Sequence, residues 1–180
     1  MRSIKVEGLD TPWTALTLGC LQLAPSKEWG DECSGEEADR VVKTALDGGI
    51  MAFDTAECYG NGESECRLGK ALGSRKNDVL IISKITPDAE LTVEAYQTRL
   101  EGTLKALGRD YVDSYLIHWP GMYLDTMDKT REMCDVMAAL KESGKTRTVG
   151  ISNFLAKDII LMAEVASLFT INQVPYNLLR

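Results

Sequence analysis

Asp54 and Tyr59 lie five residues apart in Phe53-Asp54-Thr55-Ala56-Glu57-Cys58-Tyr59-Gly60, where an apolar run gives way to a loop. Lys84 closes a second apolar run, Val79 to Ser83, and His118, the only histidine, closes a third, Val112 to Ile117. These groups suit carbonyl reduction, which needs a hydride donor held against the carbon and an acid for the developing alkoxide oxygen. A phenol of pKa ~10 is a reluctant donor near neutrality, and a neighbouring ammonium would lower that value by favouring the phenolate. Lys84 is the candidate cation, Asp54 would hold it charged and oriented, and His118 across the pocket would donate to the substrate carbonyl. Taken singly, each residue has a plainer role. Asp54 could cap a turn, Tyr59 could be a rim aromatic, Lys84 could snorkel from a strand end, and His118 could be a satisfied core histidine.

The four meet only if parallel, adjacent strands bring their C-terminal ends to one edge, so the elements between them matter. Ile50 to Phe53 reads as a short buried strand after the Gly48-Gly49 break. Ile4 to Glu7, a turn at Gly8-Leu9-Asp10, and Trp13 to Leu18 suggest a β-hairpin leading into the first core strand. Ser34-Gly35-Glu36-Glu37 is a capping box opening a helix with Ala38, Val41, Val42, Ala45 and Leu46 on its apolar face. Glu65, Leu68, Ala71 and Leu72 mark a second helix ended by Gly73. Thr92 caps a third, ended by Gly108, and a fourth around Met133 to Leu140 ends near Gly144. Thr148 to Ser152 reads as a strand, Ile159, Ile160, Ala163 and Val165 as a helix, and Ile171 to Val174 as one more strand. Strands alternating with helices in units of about thirty residues imply right-handed parallel crossovers. The expected fold is α/β, a (β/α)8 TIM-barrel type with about six of its eight βα units. It would form one domain over residues 1–180, lacking the last two strands. A Rossmann-type open sheet is the runner-up, but Thr17-Leu18-Gly19-Cys20-Leu21 lacks the glycine-rich phosphate turn of that fold.

Read in order, Asp54-Thr55-Ala56, Tyr59-Gly60, Lys84, Leu116-Ile117-His118-Trp119, Gly150-Ile151-Ser152-Asn153-Phe154 and Asn172-Gln173 resemble the aldo-keto reductases across almost the whole chain. Several motifs in the right order are far more specific than any one alone. The resemblance implies an oxidoreductase reducing aldehydes or ketones with NADPH, in which Asp54, Tyr59, Lys84 and His118 form the catalytic tetrad and Tyr59 is the general acid. It places Ser152, Asn153 and Gln173 against the nicotinamide carboxamide, with Cys20, Leu21 and Asp54 also on the cofactor. Leu21, Trp119 and Tyr123 would wall the substrate pocket, and no metal is implied. In the family, the adenosine half of the cofactor is held largely by segments after the seventh and eighth strands, for which this sequence has no counterpart.

Two other readings remain. Lys84 could act as a Schiff-base nucleophile in a barrel lyase, or the fold could serve as a non-catalytic nucleotide-sensing or regulatory module.

Of the 180 residues, 44% are apolar and 26% charged, ordinary for a globular protein, and the net charge of −7 argues against nucleic acid or an anionic membrane as partner. Five cysteines without paired spacing suggest neither a disulfide framework nor a zinc site, which fits a reduced, cytoplasmic setting. Cys58 and Cys66 flank the Tyr59 loop, and with nothing to lower either pKa, packing is the reading. Six strands of a barrel would leave open edges near Ala15 to Leu18 and Ile171 to Val174. Self-association through them is expected, with interior side chains such as Ile151 and Val174 meeting water.

Overall fold

The computed structural model describes residues 1–10, 13–25 and 33–178. Strands β1 (Ser3–Ile4) and β2 (Trp13–Thr14) form a small antiparallel hairpin. The other six, β3 (Leu18–Gly19), β4 (Ala52–Asp54), β5 (Leu80–Ile85), β6 (Val112–Ile117), β7 (Thr146–Ser152) and β8 (Ile171–Gln173), form one parallel sheet in sequence order. That sheet is a curled arc of six strands, an incomplete (β/α)8 barrel with an N-terminal hairpin. Helices α1 (Gly35–Asp47), α2 (Glu63–Leu72), α3 (Val93–Leu107), α4 (Met127–Glu142) and α5 (Ala156–Leu161) fill the crossovers.

Local chemistry sets the helix ends. Ser34 and Glu37 close a reciprocal capping box at the start of α1, and Thr92 accepts from the Ala95 amide at the start of α3. Thr126, which the pattern did not flag, does the same for α4 through Lys129. Gly108, with φ of 64°, ends α3 in the left-handed region that glycine adopts without penalty.

The strands β5 and β6 are buried along their whole length. Side chains alternate across a strand, and Ile81, Ile85, Tyr115, Ile117, Val149 and Ile151 join the core with the helices. Ile82, Lys84, Ser114, Leu116, Thr148 and Gly150 therefore line the opposite, concave face, in register through the pairs Ile82 with Ser114, Lys84 with Leu116, Ser114 with Thr148 and Leu116 with Gly150. A Cβ on Gly150 would sit 2.8 Å from the Ile171 carbonyl and closer still to Leu116, so only glycine lets β8 approach here.

Three expectations change. Ile151 does not meet water: it is buried on the helix side of β7, beside Ile117, whereas Val174 is exposed. The arm Trp13 to Leu18 is broken into β2 and β3, because Trp13 donates to the Thr17 hydroxyl and Thr14 donates to the Leu16 carbonyl, turning the chain between them. Ala163 and Val165 fall beyond α5, in turns that follow Met162.

Among the described residues no helix is long and apolar enough to cross a membrane. The sheet ends at β3 and β8, each paired on one side only, and Ile160, Leu161, Val174, Tyr176 and Leu178 are exposed near the second edge. At about 25 cal/mol per Å², a few hundred Å² of uncovered apolar surface forfeits several kcal/mol, comparable to the whole stability of many domains. The 180-residue chain alone is expected to sediment as oligomers and to melt broadly. A sharply melting monomer across micromolar concentrations would show that the arc is self-sufficient.

Candidate active site

The C-terminal ends of the strands converge on an open cleft of about 310 Å³ lined by Asp54, Tyr59, Lys84, His118, Trp119, Ser152, Asn153, Gln173, Val174 and Pro175. Asp54 ends β4, Lys84 lies one residue from the end of β5, His118 follows β6, and Ser152 and Gln173 end β7 and β8. Parallel pairing alone brings them together, since it aligns all the C-terminal ends at one edge.

Lys84 is 1% exposed, and a buried ammonium persists only when its charge and its protons find partners. Its Nζ lies 2.7 Å from Asp54 Oδ1 and donates to the Thr55 carbonyl at 2.8 Å and to the Tyr59 hydroxyl at 3.3 Å. Asp54 Oδ1 makes no hydrogen bond, so its contact with Lys84 is a close charge pair outside hydrogen-bonding geometry. The Tyr59 pKa nevertheless stands above, and not below, its ordinary value. Burial first, and the Asp54 carboxylate second, push the phenol above its ordinary value. The phenol therefore keeps its proton at neutral pH while the Lys84 ammonium stays at its oxygen.

His118 is 8% exposed. Its ring stands edge-on to Tyr59, with centroids 5.6 Å apart, and stacks on Trp119 at 6.0 Å. Its amide donates to the Ile85 carbonyl, and its carbonyl accepts from Asn153 Nδ2. Burial, and then the Lys84 charge, push its pKa down to about 4, so the imidazole is neutral at physiological pH.

The Tyr59 loop is tied down from several sides. The Thr55 amide donates to the Ile82 carbonyl and the Glu57 amide to the Lys84 carbonyl. Gly60, with φ of 58°, packs so closely on Ala24 that no Cβ fits. The Glu57 carboxylate accepts from the Thr86 amide and hydroxyl and takes a two-pronged hydrogen bond from Arg99 of α3, at 2.7 and 2.6 Å. Paired guanidinium and carboxylate forks are both strong and directional, so this brace fixes the loop that carries Tyr59. The sequence reading missed it: Glu57 and Arg99 are 42 residues apart, and no spacing rule links them.

Ser152 and Asn153 close the far rim. Ser152 Oγ and the Asn153 amide both donate to the Gln173 carbonyl, and Asn153 has φ of 65°, a strained value for a residue other than glycine. Val174 and Pro175 add lining that was not anticipated. Three expected residues do not line the cleft. Tyr123 is buried within the 3-10 turn Gly121–Leu124, where its hydroxyl meets that of Tyr96. Cys20 is fully buried, its amide donating to the Asp54 carbonyl and its carbonyl accepting from Ser64, with a thiol pushed up to about 12 by burial. Leu21 opens the short 3-10 helix Leu21–Leu23. Cys58, expected to be packing, is exposed and lies against the His118 ring.

Residues 15–180 match the family model described as the Aldo/keto reductase family. The chain is 37% identical over 161 residues to the aldo-keto reductase YhdN of Bacillus subtilis, covering 83% of this chain and 46% of that protein. It is 39% identical over 129 residues to an aldo-keto reductase of Mycolicibacterium smegmatis, covering 71% and 44%. The chain thus spans about half the length of the curated relatives it matches. Among solved structures, it superposes with a TM-score of 0.81 at 34% identity on the thermostable aldo-keto reductase Tm1743 in complex with epalrestat, covering 98% of this chain and 63% of that one. An aldo-keto reductase from Klebsiella pneumoniae in complex with NADPH gives a TM-score of 0.80 at 27% identity, covering 98% and 59%.

The depressed His118 pKa carries a stability signature. An unfolded histidine titrates near ~6.5 and the folded one near about 4, so between these values the unfolded chain binds the extra proton. Stability is then complete above the unfolded value and falls as pH is lowered toward the folded one, by about 3 kcal/mol in all. Glu65 and Asp113, raised by burial, act with the opposite sign in an overlapping range. The readout is therefore the difference between wild type and His118→Gln in denaturant titrations. Wild type should lose stability relative to the variant on acidification, and parallel curves would mean that the imidazole is not held neutral.

Proposed function

This chain belongs to the aldo/keto reductase family, and from that premise we propose that it carries the proton-transfer half of an NADPH-dependent carbonyl reductase, with Tyr59 as general acid. The observation that supports this most directly is the phenol, kept protonated by burial, with the Lys84 ammonium 3.3 Å from its oxygen. As a substrate carbonyl is reduced, its oxygen gains negative charge and takes the phenolic proton. The phenolate left behind then faces a charge partner already in place. Asp54 keeps Lys84 charged and in position, and neutral His118 supplies a second donor that sets the angle of the carbonyl.

The far rim fits a nicotinamide carboxamide, which needs both a donor and an acceptor: the Gln173 side-chain amide offers both, and Asn153, whose Nδ2 is taken by the His118 carbonyl and Ser152 Oγ, keeps its side-chain oxygen as an acceptor. A dihydronicotinamide held there supplies the hydride. Trp119, half exposed at the mouth of the cleft, would give the substrate an apolar wall.

The geometry disfavours Lys84 as a Schiff-base nucleophile, because its Nζ already has Asp54, Thr55 and Tyr59 as partners, whereas such chemistry needs a free amine. Borohydride trapping with a carbonyl compound should leave Lys84 unlabelled. Turnover with a generic aldehyde separates an enzyme from a nucleotide-sensing module.

In a chain extended to the length of its relatives, Tyr59→Phe should lower carbonyl reduction by ~10²- to 10⁴-fold, the usual cost of removing a positioned acid, with nicotinamide binding nearly unchanged. A variant retaining half the wild-type rate would sink the assignment. Lys84→Met should lower kcat and move the Tyr59-linked step in the pH profile upward, since it removes the phenolate's partner and leaves Asp54 unpaired beside it. An unchanged rate and profile would make Lys84 purely structural.

A further inference from the structure

One contact at the cleft has no part in the mechanism above. Cys58 Sγ lies 3.5 Å from His118 Nδ1, within the range of a sulfur hydrogen bond. Either atom could carry the proton, and the two arrangements put the other imidazole proton in opposite places. A bare Nδ1 accepting from the thiol leaves the ring's proton on Nε2. A protonated Nδ1 donating to sulfur leaves Nε2 bare, unable to donate to anything in the cleft.

The surroundings favour the first arrangement. Sulfur is weak both as donor and as acceptor, but a protonated thiol can still offer its hydrogen to an imidazole lone pair, a good acceptor, whereas a neutral sulfur gives an N–H little to bind. Although the residue is exposed, its sulfur is partly desolvated, and that first, then the Glu57 charge, raise the thiol's pKa, so Cys58 keeps the proton it would donate. The ring does not carry a second proton, given its burial and the Lys84 charge. Among the described residues Nε2 has no hydrogen-bond partner, so Cys58 is the one neighbour able to decide the tautomer. The ring's placement is set independently, by Tyr59 at its edge, by Trp119 on its face and by the two backbone hydrogen bonds of His118.

We propose that Cys58 is a positioning residue for His118: its thiol donates to Nδ1 and holds the imidazole in the tautomer whose proton sits on Nε2, the nitrogen left for a substrate oxygen. Only the last clause rests on the carbonyl-reductase reading. The Cys58 side chain therefore need not touch the substrate to matter for its reduction.

His118 is the only histidine, so selective ¹⁵N-histidine labelling yields a single imidazole whose two nitrogens report the tautomer directly. Wild type should show a protonated Nε2 and a bare, hydrogen-bonded Nδ1. Cys58→Val, which keeps similar bulk without a donor, should shift the Nδ1 resonance and raise the share of the Nδ1–H form roughly fivefold, the weight of one ordinary hydrogen bond. Cys58→Ser, which restores a donor, should return the wild-type pattern, a rescue that a purely structural role would not give. Wild type with its proton mainly on Nδ1, or a Cys58→Val spectrum identical to wild type, overturns the inference. Should Cys58→Val fold poorly, the wild-type spectrum and Cys58→Ala carry the same test. An Nε2–H signature in a chain extended to its relatives' length that reduces no carbonyl would sink the reductase reading and leave the inference standing. Turnover together with an Nδ1–H wild type would do the reverse.

Discussion

A fully buried ammonium governs this site. Removing a charge from water costs several kcal/mol unless partners replace the hydration, and Lys84 is surrounded by protein. Its partners come from three places: Asp54 at the end of β4, the Thr55 carbonyl just after it, and the Tyr59 hydroxyl within the loop. Meeting all three requires β4 and β5 in the observed register, with Asp54 opposite Ile82, and the loop folded back over the sheet edge. The Glu57 to Arg99 brace holds that loop from the outer side through α3. The geometry of this cluster and the solvation of one charge are thus the same constraint, and a strand slip that misplaced Tyr59 would also strand Lys84.

Much of this was legible in the sequence because it is written in local signals. The capping box at Ser34, the Thr92 cap, the glycine stops and the order of the strand-end motifs depend on residues within one turn or one strand of each other, where spacing is informative. What escaped depends on distant partners or on face. Ile151 and Ile117 lie in strands buried on both sides, where no alternation of polar and apolar residues marks the inner face, so the helix side could be mistaken for the barrel interior. Tyr123 lies four residues past Trp119 in a tyrosine-bearing loop, and only the fold turns it inward onto Tyr96. Cys58 was seen beside Tyr59, but its partner is 60 residues away.

The sign of the Tyr59 shift shows that residues brought together as expected can still have electrostatics other than those expected. A cation beside a phenol lowers its pKa only if the cation's field reaches it uncompensated. Here burial is the larger cause of the rise, and the charge of Asp54, placed beside Lys84, adds to it. The same arrangement that makes Tyr59 a poorer acid at rest ensures that its proton is present at neutral pH. What Lys84 gives the phenol is a direct contact with its oxygen, at 3.3 Å.

The protonation states then combine into one property of the cleft. Tyr59 is protonated, His118 is neutral, and the Lys84 ammonium is held against Tyr59 by Asp54. The Asp54 carboxylate is occupied by Lys84, and the Ser152 and Asn153 donors nearest the sheet are spent on the Gln173 and His118 carbonyls. The groups left facing an oxygen between Tyr59 and His118 are therefore hydrogen-bond donors. Donors fixed in place favour whichever state of a bound molecule carries the most negative charge on that oxygen. On the proposed reading, in which the bound molecule is a carbonyl compound, that state would be the developing alkoxide and not the ground state, and the preference would fall on the transition state, where differential binding accelerates a reaction.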